Sequence, residues 1–185
     1  MACITVIILE RPWPLGPIPA PKRLPKILTY TTRFDTELQP QARLINKTIA
    51  AIYASPKGWQ QAGIRFVYTT SRPIFTIDFT TGIHIASLSH SCDDFYNCTV
   101  GNMIYINTDR WLYGDNWPGT FVNYHVLIIN HETGHILGLD EWGCICALRP
   151  APVMLYHQNT TGWHLWKPNP WPISYEIDVV QKDVK

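Results

Sequence analysis

The stretch NHETGHILGLDEW, residues 130–142, sets two histidines four residues apart and a glutamate directly after the first. On a helix, positions i and i+4 lie on one face, so the imidazoles of His131 and His135 project toward a common point. This is the HExxH spacing. Neutral imidazole nitrogens bind Zn2+ without cancelling its charge and leave a coordination position for water, whose pKa the metal brings down to about 7. Glu132 stands where it can take the proton of that water during attack on a carbonyl and return it to a leaving amine. The bland alternative is a pair of hydrogen-bonded core histidines with Glu132 in a cap or an ion pair.

The segment FVNYHVLIINHETGHILGL, residues 121–139, is apolar nearly all round, the pattern of a helix that lies in a core. Thr120 is its expected N-cap, after the turn GDNWPGT, and Gly138 near its end lets the chain turn sharply. A third ligand is then needed. Glu141 stands at the eleventh position counted from His131, and two histidines with one glutamate form a known catalytic zinc set. Its negative charge makes the zinc a weaker Lewis acid than three imidazoles would. Asp140 next to it and His157 further on are alternatives for the same place, and Glu176 in SYEID is a more remote one.

The rest of the chain fits one globular domain. Its 185 residues are 46% hydrophobic and 16% charged, enough to bury a core. A net charge of +1 gives no electrostatic reason to expect nucleic acid or an acidic membrane as partner. The run MACITVIILE has no basic start and is far too short for a membrane span, so it makes a poor export signal. RPWPLGPIPAPKRLPK holds six of the fifteen prolines, which fix φ and remove donors, so residues 1–27 are expected as an arm and 28–185 as the domain.

Strands are expected at KILTYTTRF, GIRFVYTTS, IFTIDFTT, HIASLS and NMIYINT. A helix is expected where Ala42, Leu44, Ile45, Ile49, Ile52 and Tyr53 recur at helical spacing, stopped by Pro56 and Gly58. A long irregular tail follows the HExxH helix. Together these make a mixed α/β domain with a buried central helix. Cys92 and Cys98 flank a short polar loop and can close a disulfide, which requires an oxidising compartment. Cys144 and Cys146 are too close for an easy bridge, and with Cys3 the odd count leaves a thiol over. His84, His90, His125 and His164 show no ligand spacing and read as ordinary.

His131, Glu132, His135 and Gly138 occupy their places in the extended pattern HExxHxxGxxH, and APVMLYHQNT follows with Met154 in a tight apolar segment. This resembles the zinc site and methionine turn of metzincin peptidases. The chain is more closely similar to a secreted or membrane-anchored bacterial branch of metzincin-like domains, uncharacterised in function. GWQQAGIRF, INTDRWLYG, INHETGHILG, RPAPVML and KPNPWP stand in that branch's order over residues 28–172. Two places depart from it: Glu141 where the family has histidine, and Trp166 where it tends to have a cysteine, which takes away the expected partner of Cys144.

The resemblance implies a metzincin-like zincin domain of α/β (α+β) class: a mixed twisted sheet, a backing helix, a buried active-site helix and a methionine turn. The expected function is zinc-dependent endopeptidase. His131, His135 and Glu141 hold Zn2+, Glu132 is the general base, and Met154 supports the site from below. In some metzincins a tyrosine two residues past the methionine reaches the metal or the oxyanion, which marks Tyr156; a packed aromatic is the plainer reading. A peptide or protein is the expected substrate, for which an edge among the strands between Phe75 and Asn107 can serve by strand addition. No nucleic acid and no membrane insertion are expected, the chain is expected as a monomer, and its place is extracellular or at the cell surface. The rivals are a binding domain that lost its third ligand and a metal-dependent amidase acting on cell-wall peptides.

Overall fold

The computed structural model describes residues 26–114, 120–142, 150–155 and 169–183. Five strands form one sheet: β1 (Lys26–Phe34), β2 (Ile64–Tyr68), β3 (Phe75–Thr80), β4 (Cys98–Val100) and β5 (Met103–Asn107). Their spatial order is β2-β1-β3-β5-β4, with every pairing parallel except β4 against β5. The helices are α1 (Ala42–Tyr53), α2 (Gly82–Ala86), α3 (Thr108–Tyr113), α4 (Phe121–Ile136) and α5 (Ser174–Asp183). The chain is thus a mixed α/β domain on a mostly parallel sheet.

One face of the sheet carries the core. Leu28 and Tyr30 of β1, Phe75, Ile77 and Phe79 of β3, and Ile104 and Ile106 of β5 are buried, and the register sets them side by side. Their neighbours Arg33, Asp78 and Tyr105 are aligned across the other face, as the two-residue period of a strand demands. α1 covers the core face with Ile45, Ile49, Ile52 and Tyr53, at spacings of four, seven and eight residues, so a single stripe is buried. Leu44, counted with that stripe on sequence, is 65% exposed because it lies off it. The Tyr53 ring stacks on Phe66, and its hydroxyl meets Thr133 Oγ1 at 2.8 Å, joining α1 to α4.

Thr120 caps α4 by accepting from the Asn123 N–H, and every residue from Val126 to Gly134 is buried. The helix ends in a Schellman motif. Gly138 takes φ 88°, its N–H donates to the His135 carbonyl, and the Leu139 N–H donates to the Gly134 carbonyl.

Several expectations need correction. HIASLS is not a strand: residues Gly82–Ala86 are helical, capped by Thr81 Oγ1 on the His84 N–H. Six residues are too few to separate a strand from a short helix by pattern, and the helix buries Ile85 while leaving Ile83 exposed. The fifth strand is β4, which starts at the second cysteine of the loop and whose three residues show no period. The tail holds α5, which buries Ile177 and Val180 in the core. α4 stops at Ile136, three residues before the expected end, because the glycine motif needs a full turn to form. No helix among the described residues is long and apolar enough to cross a membrane.

Candidate metal centre

His131 and His135 lie one turn apart on α4, with ring centroids 5.0 Å apart and planes at 85°. Each ring is held by its Nδ1. That of His131 is 2.8 Å from the Val153 carbonyl, and that of His135 is 2.9 Å from the Leu139 carbonyl. A carbonyl only accepts, so each Nδ1 carries a proton, and in the neutral imidazole the lone pair is then on Nε2, the tautomer a metal ligand requires. The Leu139 carbonyl is in place because the Schellman motif brings it back beneath the helix end.

Past that motif the chain runs on to Glu141, whose Oε1 lies 3.8 Å from His131 Nε2. This is an ion-pair contact and too long for a hydrogen bond. One donor atom each from His131, His135 and Glu141 lie within 4.8 Å of one another. Tetrahedral zinc with bonds of 2.0–2.2 Å wants its donors about 3.3–3.6 Å apart, so the set closes on an ion with a small movement of the exposed Glu141 side chain. Burial pulls the His131 pKa down, but the Glu141 and Glu132 carboxylates and the Val153 carbonyl outweigh it, and the net shift is upward. The same negative surroundings that hold a proton there favour a cation. In donor chemistry the residues fit a zinc ion.

Beneath α4 lies a turn, Pro152–Leu155, closed by the Leu155 N–H on the Pro152 carbonyl. Met154 is fully buried, and a Cβ at Gly134 would overlap its sulfur, so the thioether packs directly on the helix backbone between the two histidines. The Trp142 N–H donates to the Met154 carbonyl, tying the residue after Glu141 to the same turn. Glu176 holds this turn from the far side. Its Oε1 accepts from the Met154 N–H at 2.8 Å, and its Oε2 accepts from Val153 and Ile173. The bond from Ile173 caps α5 as well. Burial raises the Glu176 pKa, and the three N–H donors only partly offset it. Glu176 therefore belongs to the scaffold of the turn and not among the ligand candidates.

Asn130 ties in the last motif: its side chain donates to the Pro170 carbonyl, while its own carbonyl accepts from the Trp59 indole. Asn169 then donates to the Ala151 carbonyl, so APVM and PNPWP are joined side chain to backbone.

A family model described as a protein of unknown function, DUF3152, matches residues 20–165. The chain belongs to the DUF3152 family. No curated protein matches it. The matched stretch takes in β1 through the methionine turn of this DUF3152 domain and stops short of Asn169 and α5.

The histidines and glutamates open onto a cleft of about 860 Å³. One wall is α4, through Tyr124, Leu127 and Ile128. The other is the cysteine loop and β4, through Tyr96, Asn97 and Thr99. Cys92 and Cys98 are joined by a disulfide, as the loop's sequence allowed. Glu132, buried beside the histidines, accepts from Thr99 Oγ1 at 2.7 Å. Asp140 lines the cleft without joining the three-donor cluster. His90, read as ordinary, also lines it, and no spacing in the sequence marks that. His125 is away from the site, stacked on Trp111 at 3.8 Å and bonded to its carbonyl. Tyr156, His157, His164, Trp166, Cys3, Cys144 and Cys146 lie outside the described residues.

Proposed function

We propose that this domain is a zinc-dependent endopeptidase of metzincin-like architecture, acting outside the cell or at its surface. The observation that carries the reading is the convergence of His131, His135 and Glu141, with both Nδ1 atoms tied to carbonyls and Glu132 buried beside them. A structural zinc site is usually closed by four protein ligands and has no use for a base, so a three-donor set beside a carboxylate that is not one of the donors favours catalysis over a binding domain. The disulfide supports an oxidising compartment.

Bound by the three donors, zinc supplies Lewis acidity to the scissile carbonyl and acidifies water. Glu132 then takes the proton of the attacking water and delivers it to the amine nitrogen as the bond breaks. β4 is an edge of the sheet and lines the cleft, so an extended substrate can lie against it by strand addition while its side chains enter the space beside Tyr124 and Ile128.

The test is zinc per chain, by elemental analysis, alongside hydrolysis of an unfolded protein substrate. We expect about one zinc in the wild type and in Glu132→Gln, and loss of it in His135→Ala and Glu141→Ala. Glu132→Gln should lower turnover about 10²- to 10⁴-fold. A wild type that takes up no zinc after reconstitution refutes the reading. Full activity on cell-wall peptides with none on proteins replaces it by the amidase.

A further inference from the structure

The antiparallel register sets Thr99, in the middle of β4, opposite Ile104, so its side chain stands on the core face of the sheet and reaches α4. Its hydroxyl has one proton and two acceptors in range: Glu132 Oε2 at 2.7 Å and the Glu132 carbonyl at 3.3 Å. The shorter contact, to a carboxylate, has the length of a charge-assisted bond and takes the proton. Among the described residues no other hydrogen bond is made to the Glu132 carboxylate, so Oε1 is left for the site.

A glutamate side chain has three rotatable bonds, and among the described residues no side chain of α4 hydrogen-bonds this carboxylate. The hydroxyl of Thr99 does. Thr99 is itself held on two sides, by the ladder to β5 and, through Cys98, by the disulfide to Cys92. We propose that Thr99 is a positioning residue: it clamps Oε2 of the general base and turns Oε1 toward the reacting centre. The base is thereby fixed to the strand wall of the cleft as well as to the helix. This rests on the peptidase reading for its catalytic consequence, though not for the contact.

Thr99→Val keeps the shape and the β-branch of the side chain and removes only the hydroxyl; Thr99→Ser keeps the hydroxyl. In the zinc-loaded protein, Thr99→Val should lose about 10- to 100-fold in kcat, with KM within about twofold and zinc content unchanged. Thr99→Ser should recover most of that loss. A second measurement needs no activity: denaturant unfolding of the metal-free wild type, Thr99→Val, Glu132→Ala and the double variant. Thr99→Val should lower the folding equilibrium constant about tenfold in the wild type and by less than about twofold beside Glu132→Ala. Equal kcat in Thr99→Val and wild type, or additive unfolding changes, overturns the proposal. An inactive wild type whose unfolding cycle still couples overturns the peptidase reading and leaves the clamp standing.

Discussion

Gly134→Ala separates helix propensity from packing in one substitution. Alanine is better than glycine inside a helix by about 1 kcal/mol, so propensity alone predicts a more stable protein. In this fold the new Cβ would overlap Met154 Sδ, with the Met154 methyl at 3.1 Å and Trp59 Cζ2 at 3.3 Å. Met154 is fully buried and Trp59 is 1% exposed, so neither side chain has open space to retreat into. Overpacking of this kind costs about 1–3 kcal/mol. The net expectation is a loss of about 1 kcal/mol, and a melting temperature lower by roughly 2–4 °C at this chain length. The displaced turn carries the Val153 carbonyl that orients His131, so zinc affinity should fall by about tenfold or more. The control is Met154→Ala, which leaves a cavity and costs about 2–5 kcal/mol by itself. In that background Gly134→Ala should stabilise, by up to about 1 kcal/mol, because the obstacle is gone. Urea unfolding of the four metal-free proteins reads the sign directly. If Gly134→Ala is as stable as wild type with Met154 in place, the methionine does not press on the helix and the account of the turn is wrong.

The Cys92–Cys98 bond closes a short loop, and replacing both cysteines by serine should cost about 2 kcal/mol from unfolded-chain entropy. The same variant should lose activity by more than its stability explains, since Cys98 adjoins Thr99; urea titration and kcat on the same samples check this. Glu176→Ala removes the acceptor of three backbone N–H groups and should destabilise by at least about 3 kcal/mol, measured by the same unfolding assay. Burial raises the pKa of Asp78 above its ordinary 3.8, with Arg33 and His84 opposing that rise and Asp35 adding to it. A raised folded-state pKa means that the group's contribution is full below the unfolded value and is lost as pH rises through the folded one. Asp78→Asn should therefore be more stable than wild type at pH 7, with the advantage shrinking as pH falls toward 3.8. A constant advantage across that range would exclude the titration as its cause.

The chain's own pattern determined α4 and the meeting of two imidazoles on one of its faces, because a helix's period is local and the four-residue spacing needs nothing else. α1 and strands β1, β2, β3 and β5 were legible for the same reason, each long enough for its period to show. The disulfide loop was legible from two cysteines six residues apart. What the sequence left open was decided at long range. Whether Glu141, Asp140 or Glu176 faces the histidines depends on where the chain goes after the glycine turn. Only the folded chain puts Glu141 at 3.8 Å and sends Glu176 to the back of the methionine turn. β4 was missed because three residues cannot display a period, and its strand character comes from pairing with β5. For the same reason no spacing could have found Thr99: it is thirty-three residues from Glu132, and only the sheet brings its hydroxyl there.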